Sequence, residues 1–175
     1  MEMQTVNSMN YEHFLDVFGN VVEKCPLVAA AVWAGRPFSS VSALEKNIGD
    51  FIDSLPRSGK EGILRCHPDL AGRELLRGTL TPESQRELSQ AGLTSLTAGQ
   101  RFQPSELNAS YKSRFNFPFV ICVRMSDKET IIQQLGSRIR NSPEQELQTG
   151  IQEVKKICHL RLLDISGQVA QATKL

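Results

Sequence analysis

Apolar residues recur at three- and four-residue intervals along most of the chain, the spacing that gathers them on one face of an α-helix. Asn10 reads as an N-cap, with Tyr11, Phe14, Phe18 and Val21 following on one face. Pro26 breaks that stripe, and Leu27 to Trp33 forms a short apolar segment closed by Gly35 and Pro37. Ser40 or Ser42 starts a helix that turns Leu44, Ile48, Phe51, Ile52 and Leu55 inward and stops at Pro56. Gly59 to Cys66 predicts another short helix, ending at His67-Pro68 because proline pushes the residue before it out of the α region. Thr81 caps a helix with Pro82 at its first position, running through Ser89. Leu96 to Phe115 reads as mostly helical, its start delayed by Gly99 and Pro104. Ser126 to Glu129 has a capping-box pattern and leads into Ile131, Ile132, Leu135 and Ile139. Ser142 to Gln145 repeats the box and opens the longest helix, with Leu147, Ile151, Val154, Ile157 and Cys158 inward and Arg161 further along.

One segment breaks the pattern. Phe117 to Val123 is aromatic and β-branched, which propensity alone assigns to a strand. A lone strand would leave its backbone groups unpaired, so the segment is expected as a buried extended connector or a short helix. As a connector it could offer amides and carbonyls to a ligand, or serve only as core. The expected fold is all-α: a single-domain helical bundle over residues 1–165 with one buried extended segment near 117–123. Residues 166–175, small and polar, are expected as a flexible tail.

Composition narrows the function. Twenty Lys+Arg nearly cancel 19 Asp+Glu, leaving a formal charge of +1 and no basic field for phosphate, so nucleic acid is not an expected partner. No apolar run approaches the ~20 residues that span a bilayer, so no membrane is expected either. Met1 to Asn10 lacks the layout of a secretory leader, and the sequon at Asn108 is not expected to carry sugar. Cys25, Cys66, Cys122 and Cys158 are widely spaced within or beside apolar stretches and read as buried thiols. The final Thr173-Lys174-Leu175 differs from the peroxisomal address Ser-Lys-Leu by one methyl group, which makes an import receptor an expected partner and the peroxisome the expected location.

Of the three histidines, His13 reads as a solvated helix residue and His159 as structural or exposed. His67 stands on the stiff turn Cys66-His67-Pro68-Asp69-Leu70-Ala71-Gly72, where an imidazole can be aimed for proton transfer or can cap its helix. Cys66-His67 and Cys158-His159 lack the separation of chelating pairs, so no metal is expected. Ser84 and Glu87 share a helix face, able to orient a polar ligand or simply to meet solvent.

These residues carry a resemblance. His67-Pro68-Asp69-Leu70-Ala71-Gly72 is similar to the signature of the 2-oxo-4-hydroxy-4-carboxy-5-ureidoimidazoline (OHCU) decarboxylase family. Further matches follow in order: Ser84-x-x-Glu87 with Ala91-Gly92-Leu93, Leu107-Asn108-x-x-Tyr111, Arg114 to Phe119, then Ile157 and Arg161-Leu162. Phe14 to Glu23 and Trp33 to Phe38 also fit, so the likeness runs from Tyr11 to Ile165. Two positions depart from it: Leu88 stands where glutamine is frequent and Asn116 where glycine is common, although asparagine tolerates left-handed backbone.

The resemblance implies a cofactor-free carboxy-lyase of urate degradation that removes a carboxylate from OHCU and yields (S)-allantoin. It assigns proton donation to His67 and its orientation to Glu87. Substrate contacts fall to Pro68, Ser84, Gln85, Arg86, Glu87 and Leu88, and to the segment Phe119, Val120, Ile121, Cys122 and Val123. Arg161, whose forked donors suit a carboxylate, is assigned to positioning it. The resemblance also implies a homodimer. The competing reading is a non-enzymatic helical interaction module in which the apolar stripes and His67 only pack.

Overall fold

A computed structural model of the protein describes residues 2–70, 77–95 and 98–172. Among the described residues the helical periodicity becomes nine α-helices, with no strand. They are α1 (Met3–Asn7), α2 (Tyr11–Phe18), α3 (Pro26–Trp33), α4 (Val41–Ser54), α5 (Arg57–Arg65), α6 (Pro82–Gln90), α7 (Ala98–Phe115), α8 (Lys128–Arg138) and α9 (Pro143–Ala172). Short 3₁₀ turns lie at Leu93–Ser95 and Val123–Met125. Contacts group the chain into two compact units, Met1–Lys60 with Lys155–Leu175, and Glu61–Val154. No described helix is long and apolar enough to cross a membrane.

In the first unit, capping decides where helices begin. The Asn10 side chain accepts from the His13 amide, and Ser40, rather than Ser42, accepts from Ala43. Phe14, Phe18, Leu44, Ile48 and Ile52 form the buried stripes that the periodicity predicted, joined by Ile157, Cys158 and Leu162 from α9. Tyr11 departs from its stripe: it is exposed and stands edge-on to Trp33, 5.4 Å between ring centroids. Leu27 to Trp33 folds as α3 with Pro26 at its first position, where a missing N–H costs nothing.

α5 begins at Arg57, two residues earlier than expected, since Pro56 can precede a helix as easily as end one. α7 starts at Ala98 and runs through Gly99 and Pro104, which cost it hydrogen bonding and propensity without delaying it. At α8 the N-cap is Asp127, accepting from Thr130 at 2.7 Å, instead of Ser126. A carboxylate there also meets the positive end of the helix dipole. The box at Ser142 forms as predicted, with Ser142 Oγ accepting from the Gln145 amide at 3.2 Å and Gln145 Oε1 accepting from the Ser142 amide at 3.0 Å. α9 then continues to Ala172, past the Ile165 limit set for the helical domain. Thr173-Lys174-Leu175, Ala71, Gly72 and Leu96 lie outside the described residues.

Ser142→Ala removes one arm of the box at the start of the longest helix. It should lower stability by about 1 kcal/mol, seen as a melting midpoint lower by roughly 3 °C for a chain of this size. Ser142→Thr should largely restore it.

Candidate functional site

His67 is buried just past the end of α5. Its amide bonds to the Leu64 carbonyl, and its ring Nδ1 lies 3.0 Å from the Ile63 carbonyl, which also accepts from the Cys66 amide in the last turn of the helix. The histidine is therefore a C-terminal cap. A carbonyl only accepts, so Nδ1 must hold a proton, and Nε2 is the nitrogen whose proton can come and go. One contact thus fixes both the orientation of the imidazole and its tautomer.

The end of α5 is tied to the start of the connector. Arg65 Nε donates to the Asn116 carbonyl at 2.9 Å. Asn116 itself adopts φ +61°, the left-handed geometry that glycine supplies elsewhere and asparagine tolerates. From there Phe117 to Val123 runs buried, without helix or strand until the 3₁₀ turn at Val123. The expectation of a buried extended connector holds.

α6 packs against that 3₁₀ turn. The Thr81 hydroxyl caps it by accepting from Ser84, and Ser84 and Leu88, four apart, are both buried. Glu87 lies beside this face and close enough to Cys122 for its charge to bear on the thiol. The structure thus brings Ser84, Glu87, Leu88 and the connector together. Gln85 and Arg86 do not join them. The 100° step per residue turns both into solvent, and Gln85 Nε2 donates to Ser89 Oγ.

Two connector backbone groups are already engaged by buried charged side chains. Arg138 Nη1 donates to the Val120 carbonyl at 2.8 Å, and Glu153 Oε1 accepts from the Cys122 amide at 3.2 Å. Arg138 also lies over the Phe119 ring, 4.4 Å from its centroid. Its Nε bonds to Glu146 at 2.9 Å, and the same carboxylate accepts from Tyr111 at 2.6 Å and Asn141 at 2.9 Å. Burial, then the Glu146 hydrogen bond, raises the Tyr111 pKa, so its hydroxyl remains a donor. Periodicity had reserved buried positions for apolar residues and missed Arg138, Glu146 and Glu153. The available signal was a charge standing in register with an apolar stripe, as Arg138 does with Ile131 and Leu135.

Arg161 belongs to the first unit. It is buried, with Nη1 donating to the Asn20 carbonyl at 2.8 Å and to Glu23 Oε1 at 3.3 Å. Glu23 is fully buried, so Arg161 supplies a countercharge that this carboxylate needs. His13 is exposed, and His159 is half-exposed with Nδ1 2.6 Å from Glu45. Asn108, the sequon residue, is buried. Cys66-His67 and Cys158-His159 fall in different units, and no group of three or more His, Cys, Asp or Glu suited to a metal occurs among the described residues.

The protein is all-α, with a helix-capping imidazole, a carboxylate on a packed helix face and a clamped backbone connector. The chain belongs to the OHCU decarboxylase family, whose model matches residues 7–163. It is 60% identical to the 2-oxo-4-hydroxy-4-carboxy-5-ureidoimidazoline decarboxylase of Xenopus laevis, covering 100% of both chains. With the protein of that name from Mus musculus the identity is 58%, over 100% of this chain and 98% of the other. Among solved structures, an OHCU decarboxylase in the presence of (S)-allantoin is similar with TM-score 0.67 and 23% identity, over 85% of this chain and 96% of that one. An (S)-allantoin synthase gives TM-score 0.74 at 23% identity, over 94% of this chain and 54% of that one. At such identity these two likenesses speak for the fold.

The thiols are unequal. Cys122 and Cys158 are buried, whereas Cys25 and Cys66 are half-exposed, against the expectation that all four are buried. Burial, reinforced by Glu153, raises the Cys122 pKa, and burial pushes Cys158 up to about 12. A higher pKa means less thiolate at neutral pH. A thiol reagent at pH 7.5 should therefore label Cys25 and Cys66 in the native protein, and Cys122 and Cys158 only after denaturation, as peptide mapping would read.

Proposed function

We propose that this protein is a carboxy-lyase of urate degradation that converts OHCU to (S)-allantoin without a cofactor. Its family and its full-length relatives, at close to 60% identity, support the reaction. The observation that carries the assignment of roles is the Nδ1 bond of His67 to the Ile63 carbonyl, which makes Nε2 the proton-exchanging atom. As carbon dioxide departs, the electron pair of the broken C–C bond enters the substrate's own conjugated C=N group. The imidazolium form of His67 then protonates one face of the planar intermediate, which sets the configuration of the product. Glu87 orients His67 and binds the substrate's N–H groups, while Ser84 hydrogen-bonds the ring. Backbone groups of the connector receive the ring's amide and carbonyl edges. The same reading gives Arg161 the substrate carboxylate. That contact favours the ground state, so it positions and does not speed the loss of charge.

The test supplies freshly generated OHCU and follows the circular dichroism of allantoin against spontaneous decay. Wild-type protein should produce the (S) enantiomer faster than background. His67→Asn keeps a donor for the Ile63 carbonyl but has no Nε2, and should cut turnover by ~10²-fold or more with the fold intact. Unchanged rate and chirality in that variant would remove His67 from the chemistry. Glu87→Gln should fall between the two.

The homodimer and peroxisomal import through Thr173-Lys174-Leu175 belong to the same proposal. Sedimentation of the purified protein tests the first. A fluorescent fusion ending in Gln171 to Leu175, compared with one lacking the last three residues, tests the second.

A further inference from the structure

We infer that Arg138, oriented by Glu146, is a positioning residue for the reaction: it fixes which edge of the connector meets the substrate. The inference rests on the functional reading above, which places the substrate's ring against residues 119–123.

Arg138 and Glu146 are both buried, and so are the side chains they meet, Tyr111 and Phe119. Replacing a buried ion pair by apolar residues of similar volume is often neutral or stabilising, so stability alone accounts poorly for this one. The cost is visible in the guanidinium, whose Nη2 is buried and has no hydrogen-bond partner among the described residues. What the fork does is geometric. Nε is held by Glu146 and Nη1 holds the Val120 carbonyl, so a rigid planar group sets the distance between α9 and the connector backbone. Glu153, one helical stretch further along α9, holds the Cys122 amide.

Val120 and Cys122 are two residues apart. In an extended run, residues two apart present their backbone groups to one edge and the residues between them to the other. With the Val120–Cys122 edge clamped to the protein's buried charges, the opposite edge, at Phe119 and Ile121, is the one that can pair with a ligand. The clamp therefore selects the binding edge, and a loosened clamp should weaken binding without touching the proton donor.

Arg138→Lys tests this, because an ammonium keeps the charge for Glu146 but cannot bridge both partners with a fixed fork. The expected result is a KM for OHCU raised about tenfold, with kcat and its pH profile held, since His67 is untouched. Hydrogen exchange followed by mass spectrometry should show faster exchange confined to the peptide covering 117–123. An unchanged KM overturns the inference. So does faster exchange spread evenly over α7, α8 and α9, which marks a merely structural pair. Should Arg138→Lys fail to fold, Tyr111→Phe takes one donor from Glu146 and leaves the fork in place. It should raise KM about threefold at constant kcat, since its hydroxyl acts on the connector only through Glu146 and then Arg138, and no change there overturns the inference too. Wild-type protein that does not turn over OHCU sinks the functional reading instead, and the exchange pattern of Arg138→Lys then decides the positioning role alone.

Discussion

A carboxylate with no exposure to water organises the second unit. Glu146 is fully buried, where an unsatisfied carboxylate would cost several kcal/mol, so its surroundings must supply donors. They come from Tyr111 on α7, Arg138 at the end of α8 and Asn141 just beyond it. Three chain segments are thus held to the first turn of α9 by one side chain, and each loses its register if the carboxylate moves. The connector depends on the same point at one remove, through the arginine that grips Val120. Aromatic packing fills the space around this polar centre: Tyr111 lies 4.6 Å from Phe115 and 5.5 Å from Phe119, centroid to centroid. The polar bonds specify the arrangement and the rings supply most of the burial.

The candidate acid is built by more modest means. A helix must end somewhere, and its last carbonyls need donors. α5 meets that need with an imidazole, then anchors the following backbone through Arg65 and the left-handed turn at Asn116. Capping and catalysis had stood as competing readings of His67. In the structure the cap is real, and it is what gives the ring a defined tautomer, so the two roles are compatible.

How far this was legible in the sequence varies by element. Helices with a side-chain cap and an apolar stripe, such as α2, α4 and the start of α9, were readable because local chemistry and burial agree there. Boundaries failed where two local signals compete: Ser126 and Asp127 are adjacent candidate caps, and Pro104 lies in a helix that proline should have shortened. The connector was readable because a lone strand has nowhere to send its hydrogen bonds. Within the site, the helix face of Ser84 and Glu87 followed from spacing, while Gln85 and Arg86 were included by motif alone and point elsewhere. The buried charges escaped notice since a periodic pattern treats every Glu and Arg as solvated, and only the fold shows which of them have partners.

The first unit is discontinuous along the chain, and that has a consequence for synthesis. Lys155 pairs with Asp53, His159 with Glu45 and Arg161 with Glu23, joining partners 102, 114 and 138 residues apart. A chain emerging from the ribosome releases α1 to α4 first, with Phe14, Phe18, Leu44 and Ile52 still lacking the helix that completes their core. Glu61 to Val154, being contiguous, can assemble while they wait. The nascent protein should therefore carry its greatest demand for chaperones at α1 to α4, and that demand ends only once α9 has emerged.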